Sequence, residues 1–272
     1  MVFAKRVVML VISLGYLAAQ RALALFGRKD HCRRVVLTYH IVTEGEVPRF
    51  DRQMQQLRKY ATPVFADEPE TAGPRLSAAV TFDDAFENVI SRTLPILARH
   101  GIPVTIFVPT GYLGVRAGWI RAESTGMDAR VVSVDLLKNL DPRLARLGSH
   151  TVTHPRLAGV TALHLNAELA SSKQTLEAIT GQRIRSVALP YGSCSPEVIR
   201  VARGVGYDRV FANVPVRTHA PGSCELIGRV DTSARDWRVE FYLKLQGAYE
   251  WMAVAVPIKR AILNLLKRRG RP

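Results

Sequence analysis

Two periodicities alternate along the chain. Short runs rich in β-branched and apolar residues read as strands: VVLTYH (35–40), AAVTF (78–82), IPVTIFVP (102–109), SVALP (186–190), DRVFAN (208–213) and ELIGRV (225–230). Helical patterns stand between them: FDRQMQQLRKY (50–60), residues 86–99, a helix opening at Ser133 with Asp135 in its first turn, and another around 196–204. The segment from Thr161 to Thr180 forms a long helix, with Gly181 placed to stop it. Apolar strands separated by amphipathic helices predict a parallel sheet covered by helices, either open or closed as a barrel. No internal repeat or low-complexity linker interrupts this pattern. The stretch from Arg116 to Arg130 is the one loop-like insertion, and a single domain is the simplest account.

The two ends depart from the pattern. Val7 to Ala19 is an apolar run behind Lys5 and Arg6, shorter than the ~18 residues that announce a membrane-spanning helix. Extending it to Phe26 takes in Gln20 and Arg21. Three readings stay open: a signal peptide cleaved after Ala24, an uncleaved anchor, or an interfacial helix. At the other end Ile258, Ala261, Ile262, Leu265 and Leu266 fall on one helical face, with Lys259, Arg260 and Lys267 off it. That pattern suits either a last helix packed on the body or a basic amphipathic helix on anionic lipid. The expected organisation is a membrane-associated segment over 1–34, a central domain over 35–250 and a basic tail over 251–272.

Charge supports this division. The formal net charge is +15, from 38 basic and 23 acidic residues among 272. Residues 1–34 hold seven basic residues against Asp30, and 257–272 hold six with no acid. Basic ends on a near-neutral body predict an anionic membrane surface as partner, and no nucleic acid, because no basic stripe interleaved with aromatics occurs in the middle. Far-side basic residues outnumber Lys5 and Arg6, which pulls the body toward the cytoplasm by the positive-inside rule, yet the side stays open between cytoplasmic and periplasmic. Three cysteines without CxxC spacing do not make a disulfide framework.

In parallel α/β folds, chemistry collects at the C-terminal ends of the strands. Here those ends carry His40, Asp83-Asp84, His150 and Tyr191. Buried carboxylates are costly unless paired, hydrogen-bonded or bound to a metal. Asp83-Asp84 therefore poses a question, to which capping the next helix is one answer. SHTVTHP (149–155) holds two histidines four apart, and its β-branched residues together with Pro155 favour an extended loop over a helix. With one of the aspartates they make a His-His-Asp set, three ligands and an open position, as a hydrolytic zinc site requires. The other aspartate is then left to take a proton from water.

TYHIV (38–42), TFDDA (81–85), SHTVTHP (149–155), LPYGSCS (189–195) and GRVD (228–231), in this order, resemble the motifs of polysaccharide deacetylases of the NodB-homology type. The resemblance covers roughly residues 35–250. It implies an irregular (β/α) barrel and metal-dependent hydrolysis of N-acetyl groups on amino sugars of a bacterial polysaccharide or lipid-linked glycan. It assigns Asp83 as general base, and Asp84, His150 and His154 as ligands of a divalent metal, most often zinc. The backbone amide of Tyr191 is implied in holding the oxyanion, and Tyr191 and Trp119 could stack on sugar faces or be ordinary buried aromatics.

Three departures from the family pattern bear on this reading. Ala85 stands where glycine usually follows TFDD. Ala188 stands where an arginine often orients the base; an alanine version of this motif occurs among biofilm-exopolysaccharide deacetylases, and here Arg229 or Asp231 is the candidate to supply that charge. The late histidine motif is not recognisable, which makes His40 the first candidate for general acid and His219 the second. Two alternatives follow: an inactive carbohydrate-binding protein on the same fold, and an amidase of another acyl amide or a cyclic imide.

Overall fold

The computed structural model describes residues 2–26, 34–69, 76–120, 129–214 and 225–255. The chain opens with helix α1 (Val2–Leu25), followed by β1 (Arg34–Tyr39), α2 (Val47–Tyr60), the short β2 (Thr62–Pro63), β3 (Ser77–Phe82) and α3 (Glu87–His100). Next come β4 (Val104–Val108), α4 (Val134–Lys138), β5 (Ala145–Ser149), α5 (Ala162–Thr180) and β6 (Ser186–Ala188). α6 (Pro196–Gly204), β7 (Arg209–Ala212), β8 (Glu225–Gly228), β9 (Val230–Asp231) and α7 (Arg238–Leu245) complete it.

Every strand pairing is parallel, in the spatial order β8-β7-β6-β5-β4-β3-β1-β9, with β2 beside the start of β3. The two outermost strands are almost one continuous strand. Residues 225–228 pair with β7, Arg229 intervenes, and Val230–Asp231 pair with β1. A single segment therefore bridges the last and first strands and nearly closes the sheet into a barrel. The closure is irregular, since β5 and β6 share only the Ser149–Val187 pair.

Alternation along the strands separates two cores. Val35, Leu37, Val80, Ile106, Val187 and Val210 point outward into one large cluster shared with the helices. The intervening residues Val36, Ala79, Phe107, Ala188 and Phe211, with Ala66, fill the barrel interior. Phe107 and Phe211 meet at 5.1 Å between ring centres. Phe107 occupies the space where a side chain at Gly148 would lie, because a Cβ there would stand 2.4 Å from its ring. The helices supply the outer wall through the expected spacing, as in α2, where Phe50, Gln53, Met54 and Leu57 are buried. Gly101 and Gly181 end α3 and α5 in the left-handed conformation, as the pattern for Gly181 predicts.

The expected strands and helices are present with small shifts at their ends. The sequence pattern did not separate α7, nor did it show that ELIGRV breaks at Arg229. The N-terminal helix is longer than its apolar run. It continues through Gln20 and Arg21, both good helix formers, so that an 18-residue window within Phe3–Leu25 reaches a mean hydropathy of 1.7 and the helix is long and apolar enough to cross a membrane. Leu10, Ser13 and Leu17 of this helix face the body. Trp251 donates to Ser13 Oγ at 3.0 Å, and Arg6 donates to Glu240 at 2.5 Å. The basic tail from residue 256 onward lies outside the described residues.

Substituting Gly148→Ala is expected to lower the unfolding free energy by about 1–3 kcal/mol through overpacking. Adding Phe107→Leu should return part of it. Urea unfolding of the single and double variants measures this, and equal stability of Gly148→Ala and the natural protein would contradict the packing described.

Candidate metal and catalytic centre

The strand β3 delivers Asp83 on the inner face of the barrel, in line with Ala79 and Thr81. Its backbone N–H still bonds Tyr39 O at 2.9 Å. The chain then turns sharply. Asp84 and Ala85 adopt φ of 64° and 47°, a left-handed pair without glycine. This turn brings both carboxylates to one pocket, which an extended strand could not do. Helix α3 is entered through Phe86, so neither aspartate caps it.

Ala85 is fully buried and accepts a hydrogen bond from Val132 N at 2.9 Å. Relative to glycine, its left-handed backbone costs about 1–2 kcal/mol. The stiffer unfolded chain returns about 0.4–1 kcal/mol and the buried methyl about 0.8 kcal/mol. These terms nearly cancel, which is why alanine can stand here.

Asp83 is fully enclosed and held by a fork of two hydrogen bonds. Arg229 Nη1 donates to Oδ1 at 2.6 Å and Nη2 to Oδ2 at 2.7 Å. Burial alone would raise the pKa of Asp83. The guanidinium of Arg229 outweighs it, together with His150, His40 and the hydrogen bonds from Arg229, and holds the carboxyl well below the usual carboxylate range. Arg229 is itself completely buried. It bonds Asn213 Oδ1 at 2.5 Å and Thr81 Oγ1 at 3.3 Å, and its guanidinium lies 5.2 Å from the Phe107 ring. Ala188 packs in the inner layer with Phe107 and Phe211, and both rings lie near the Arg229 guanidinium.

Asp84, His150 and His154 form a second group, all buried, with one potential ligand atom from each within 4.8 Å of the others. Asp84 Oδ1 stands 3.3 Å from His154 Nε2 and 3.7 Å from His150 Nε2, yet it has no hydrogen-bond partner. A buried carboxylate oxygen between two imidazole nitrogens and bonded to neither is unsatisfied unless a cation is shared among them. Two nitrogens and one carboxylate are also a donor set that zinc accepts. The residues fit a divalent cation.

The loop after β5 aims both imidazoles. His150 Nδ1 lies 2.9 Å from Ala188 O, which orients the ring with Nε2 toward Asp84. Burial lowers the pKa of His150 to about 4, against the opposing pull of Asp83 and Asp84, so it is neutral at pH 7 as a ligand must be. Thr151 and His154 both have positive φ, 68° and 60°. His154 thus departs from the extended backbone that Pro155 predicts. The turn is held by His154 N donating to Thr151 Oγ1 at 3.1 Å. Glu168 of α5 clamps it from outside, accepting from Val152 N at 2.8 Å and Thr153 N at 2.9 Å.

The other candidate residues surround these two groups. Trp119 stacks on the His154 ring at 4.1 Å, so one face of its indole is already covered. Tyr191, with φ of 57°, meets the His154 ring edge-on at 4.8 Å and is 42% exposed. His40 lies with Nε2 3.6 Å from Asp83 Oδ2 and Nδ1 4.0 Å from Asp231 Oδ1. Of the two candidates for the orienting charge, Arg229 contacts Asp83, whereas the Asp231 side chain is 82% exposed and approaches His40. His219 lies outside the described residues. Sequence reasoning missed Glu168 and Asn213. Asn213 ends the run DRVFAN and could have been found by the strand-end rule; Glu168 carries no local signal.

Comparison with known proteins agrees with this geometry. Residues 71–210, just over half of the chain, match the polysaccharide deacetylase family model. The chain belongs to that family. It is 24% identical over 192 residues to the YxkH protein of Bacillus subtilis, covering 66% of this chain and 64% of that protein. It is also 24% identical over 162 residues to a chitooligosaccharide deacetylase of Sinorhizobium fredii, covering 58% of this chain and 67% of that protein. Among solved structures, IcaB from Ammonifex degensii superposes with a TM-score of 0.66 at 22% identity, over 80% of this chain and 97% of that one. This likeness establishes the fold as the irregular barrel of polysaccharide deacetylases.

The Asp83–Arg229 pair gives two expected outcomes. Replacing Arg229 by Met strands a buried carboxylate and should cost about 3–5 kcal/mol. Adding Asp83→Asn should recover part of that loss in urea unfolding. Because the pKa of Asp83 is depressed, the pair stabilises the fold above the unfolded value of about 3.9 and loses that stabilisation as pH falls further. The natural protein should therefore lose more stability between pH 5 and 2 than Asp83→Asn does.

Proposed function

We propose that the protein hydrolyses the N-acetyl group of an amino sugar in a bacterial polysaccharide or lipid-linked glycan. One observation carries this reading: an ionised carboxylate, fixed by a bidentate arginine, stands beside a separate Asp-His-His set with an unsatisfied oxygen. A site for binding alone has no need to divide two adjacent aspartates in this way. Family membership and the name of the Sinorhizobium relative support the same reaction class.

In this reading Asp84, His150 and His154 hold the divalent cation, with zinc the natural choice for such a donor set. That cation supplies Lewis-acid polarisation of the acetyl carbonyl and makes water near it more acidic. Asp83 accepts the proton of the attacking water. Its depressed pKa keeps it ionised and so able to take that proton. Arg229 positions the Asp83 carboxylate and keeps it charged. His40, one third exposed at the mouth and near Asp83, donates a proton to the departing amine. Tyr191, exposed beside His154, offers a platform for a sugar ring. Residues 35–250 form the catalytic domain, and the apolar helix α1 associates the protein with a membrane.

Acetate release from N-acetylglucosamine oligomers, measured with metal content, tests the division of labour. Asp83→Asn should lower turnover by about 10²–10⁴-fold with metal stoichiometry retained. His150→Ala should lose the metal, and His40→Ala should lower turnover while sparing it. Stoichiometric metal in the natural protein with no acetate from any glycan would overturn the proposal.

A further inference from the structure

A cleft of about 450 Å3 lies between α2, the N-terminal turns of α1 and the loop that follows β9. Five arginines line it, Arg6, Arg49, Arg52, Arg235 and Arg238, together with Trp237. Its acids are already engaged. Arg235 pairs with Glu46, Arg6 with Glu240, and Asp236 is held by Lys244 at 2.6 Å. Arg49, Arg52 and Arg238 have no carboxylate partner among the described residues and are exposed. Three uncompensated guanidiniums on one cleft are an electrostatic cost that an anion relieves, and phosphate oxygens match their donor forks.

The surface beside the cleft is apolar. Phe3 packs edge-on against Trp237 at 5.6 Å, and the Arg6 guanidinium covers the same indole at 4.6 Å. From there Phe3, Val7, Val8, Val11, Ile12 and Leu14 of α1 are exposed, at 38–68%. An apolar helical face ending at a cluster of arginines has the composition of a bilayer interface, with hydrocarbon against the helix and headgroups against the guanidiniums. A soluble anionic glycan would account for the arginines and leave the apolar face unexplained.

The cleft also lies on the catalytic side of the barrel. It is walled by the first turns of α2 and the loop after β9, which follow the C-terminal ends of the strands that deliver His40 and Asp231. Arg6 further lines a neighbouring cavity of about 270 Å3 that reaches Arg229 and Asp231.

We propose that the arginine cleft binds the phosphate of anionic phospholipid headgroups and so seats the catalytic mouth at the membrane surface. The inference rests on the membrane association proposed above for α1 and is independent of the reaction. The test is flotation of the full chain with vesicles of phosphatidylcholine alone or mixed with phosphatidylglycerol. Three proteins are compared: the natural chain, Arg49→Gln/Arg52→Gln/Arg238→Gln, and a control of equal charge change on the β6–β7 side, Arg183→Gln/Arg200→Gln/Arg203→Gln. The natural chain and the control should prefer the phosphatidylglycerol vesicles, and the cleft variant should bind them at least tenfold more weakly, with unchanged thermal unfolding and unchanged binding to phosphatidylcholine. Equal losses in the two variants would overturn the cleft and leave only a diffuse field. Binding of the natural chain to neither vesicle would overturn the membrane association as well. Arginine-dependent binding of glycerol phosphate or polygalacturonate, without any vesicle preference, would overturn the lipid assignment.

Discussion

The buried ion pair between Asp83 and Arg229 organises this molecule. Charges in a barrel interior are tolerated only when their hydrogen-bonding capacity is met. Here the fork-to-fork pair does this for the carboxylate, and Asn213 and Thr81 take further donors of the guanidinium, whose Nε alone is left without a partner among the described residues. Arg229 also sits where the closing strand passes from β7 to β1. One residue thus joins the closure of the barrel to the charge state of its central carboxylate. Phe107 and Phe211 face its guanidinium at 5.2 and 5.9 Å, Ala188 packs with both rings, and Gly148 leaves room for that of Phe107.

Around that pair, the backbone is held in uncommon conformations only where function would need them. The non-glycine residues with positive φ among the described residues are Asp84, Ala85, Thr151, His154 and Tyr191, and all of them border the centre. Each costs free energy that its surroundings must offset. The offsets are visible: Val132 on Ala85, Thr151 on His154, and Glu168 on the loop between the two histidines. A rigid turn at each strand end converts residues that would point to opposite faces into convergent ones.

The body meets α1 along one side of the helix. A helix apolar enough for a membrane lies against the domain through Leu10, Ser13 and Leu17 and shows its remaining apolar side outward. Its basic turn, Lys5 and Arg6, borders the cavity that leads to Arg229 and Asp231. The helix is therefore a wall of that cavity as well as an apolar surface.

Much of this architecture was legible in the sequence, because the strand and helix periods are local properties and a parallel sheet keeps them distinct. Motif order alone groups Asp83, Asp84, His150 and His154, because strand ends in such a fold converge on one face. The tertiary structure decided what local pattern cannot carry. Arg229 rather than Asp231 holds Asp83, since the break in the closing strand turns Arg229 inward and leaves Asp231 in solvent. Glu168 supports a loop 15 and 16 residues away in sequence, and Trp119 covers a histidine from another segment. His154 is left-handed despite Pro155, because the hydrogen bond from its N–H to the Thr151 hydroxyl offsets a dipeptide preference. Sequence period determines which face a residue takes along its own strand; only the closed barrel determines which residue it meets across it.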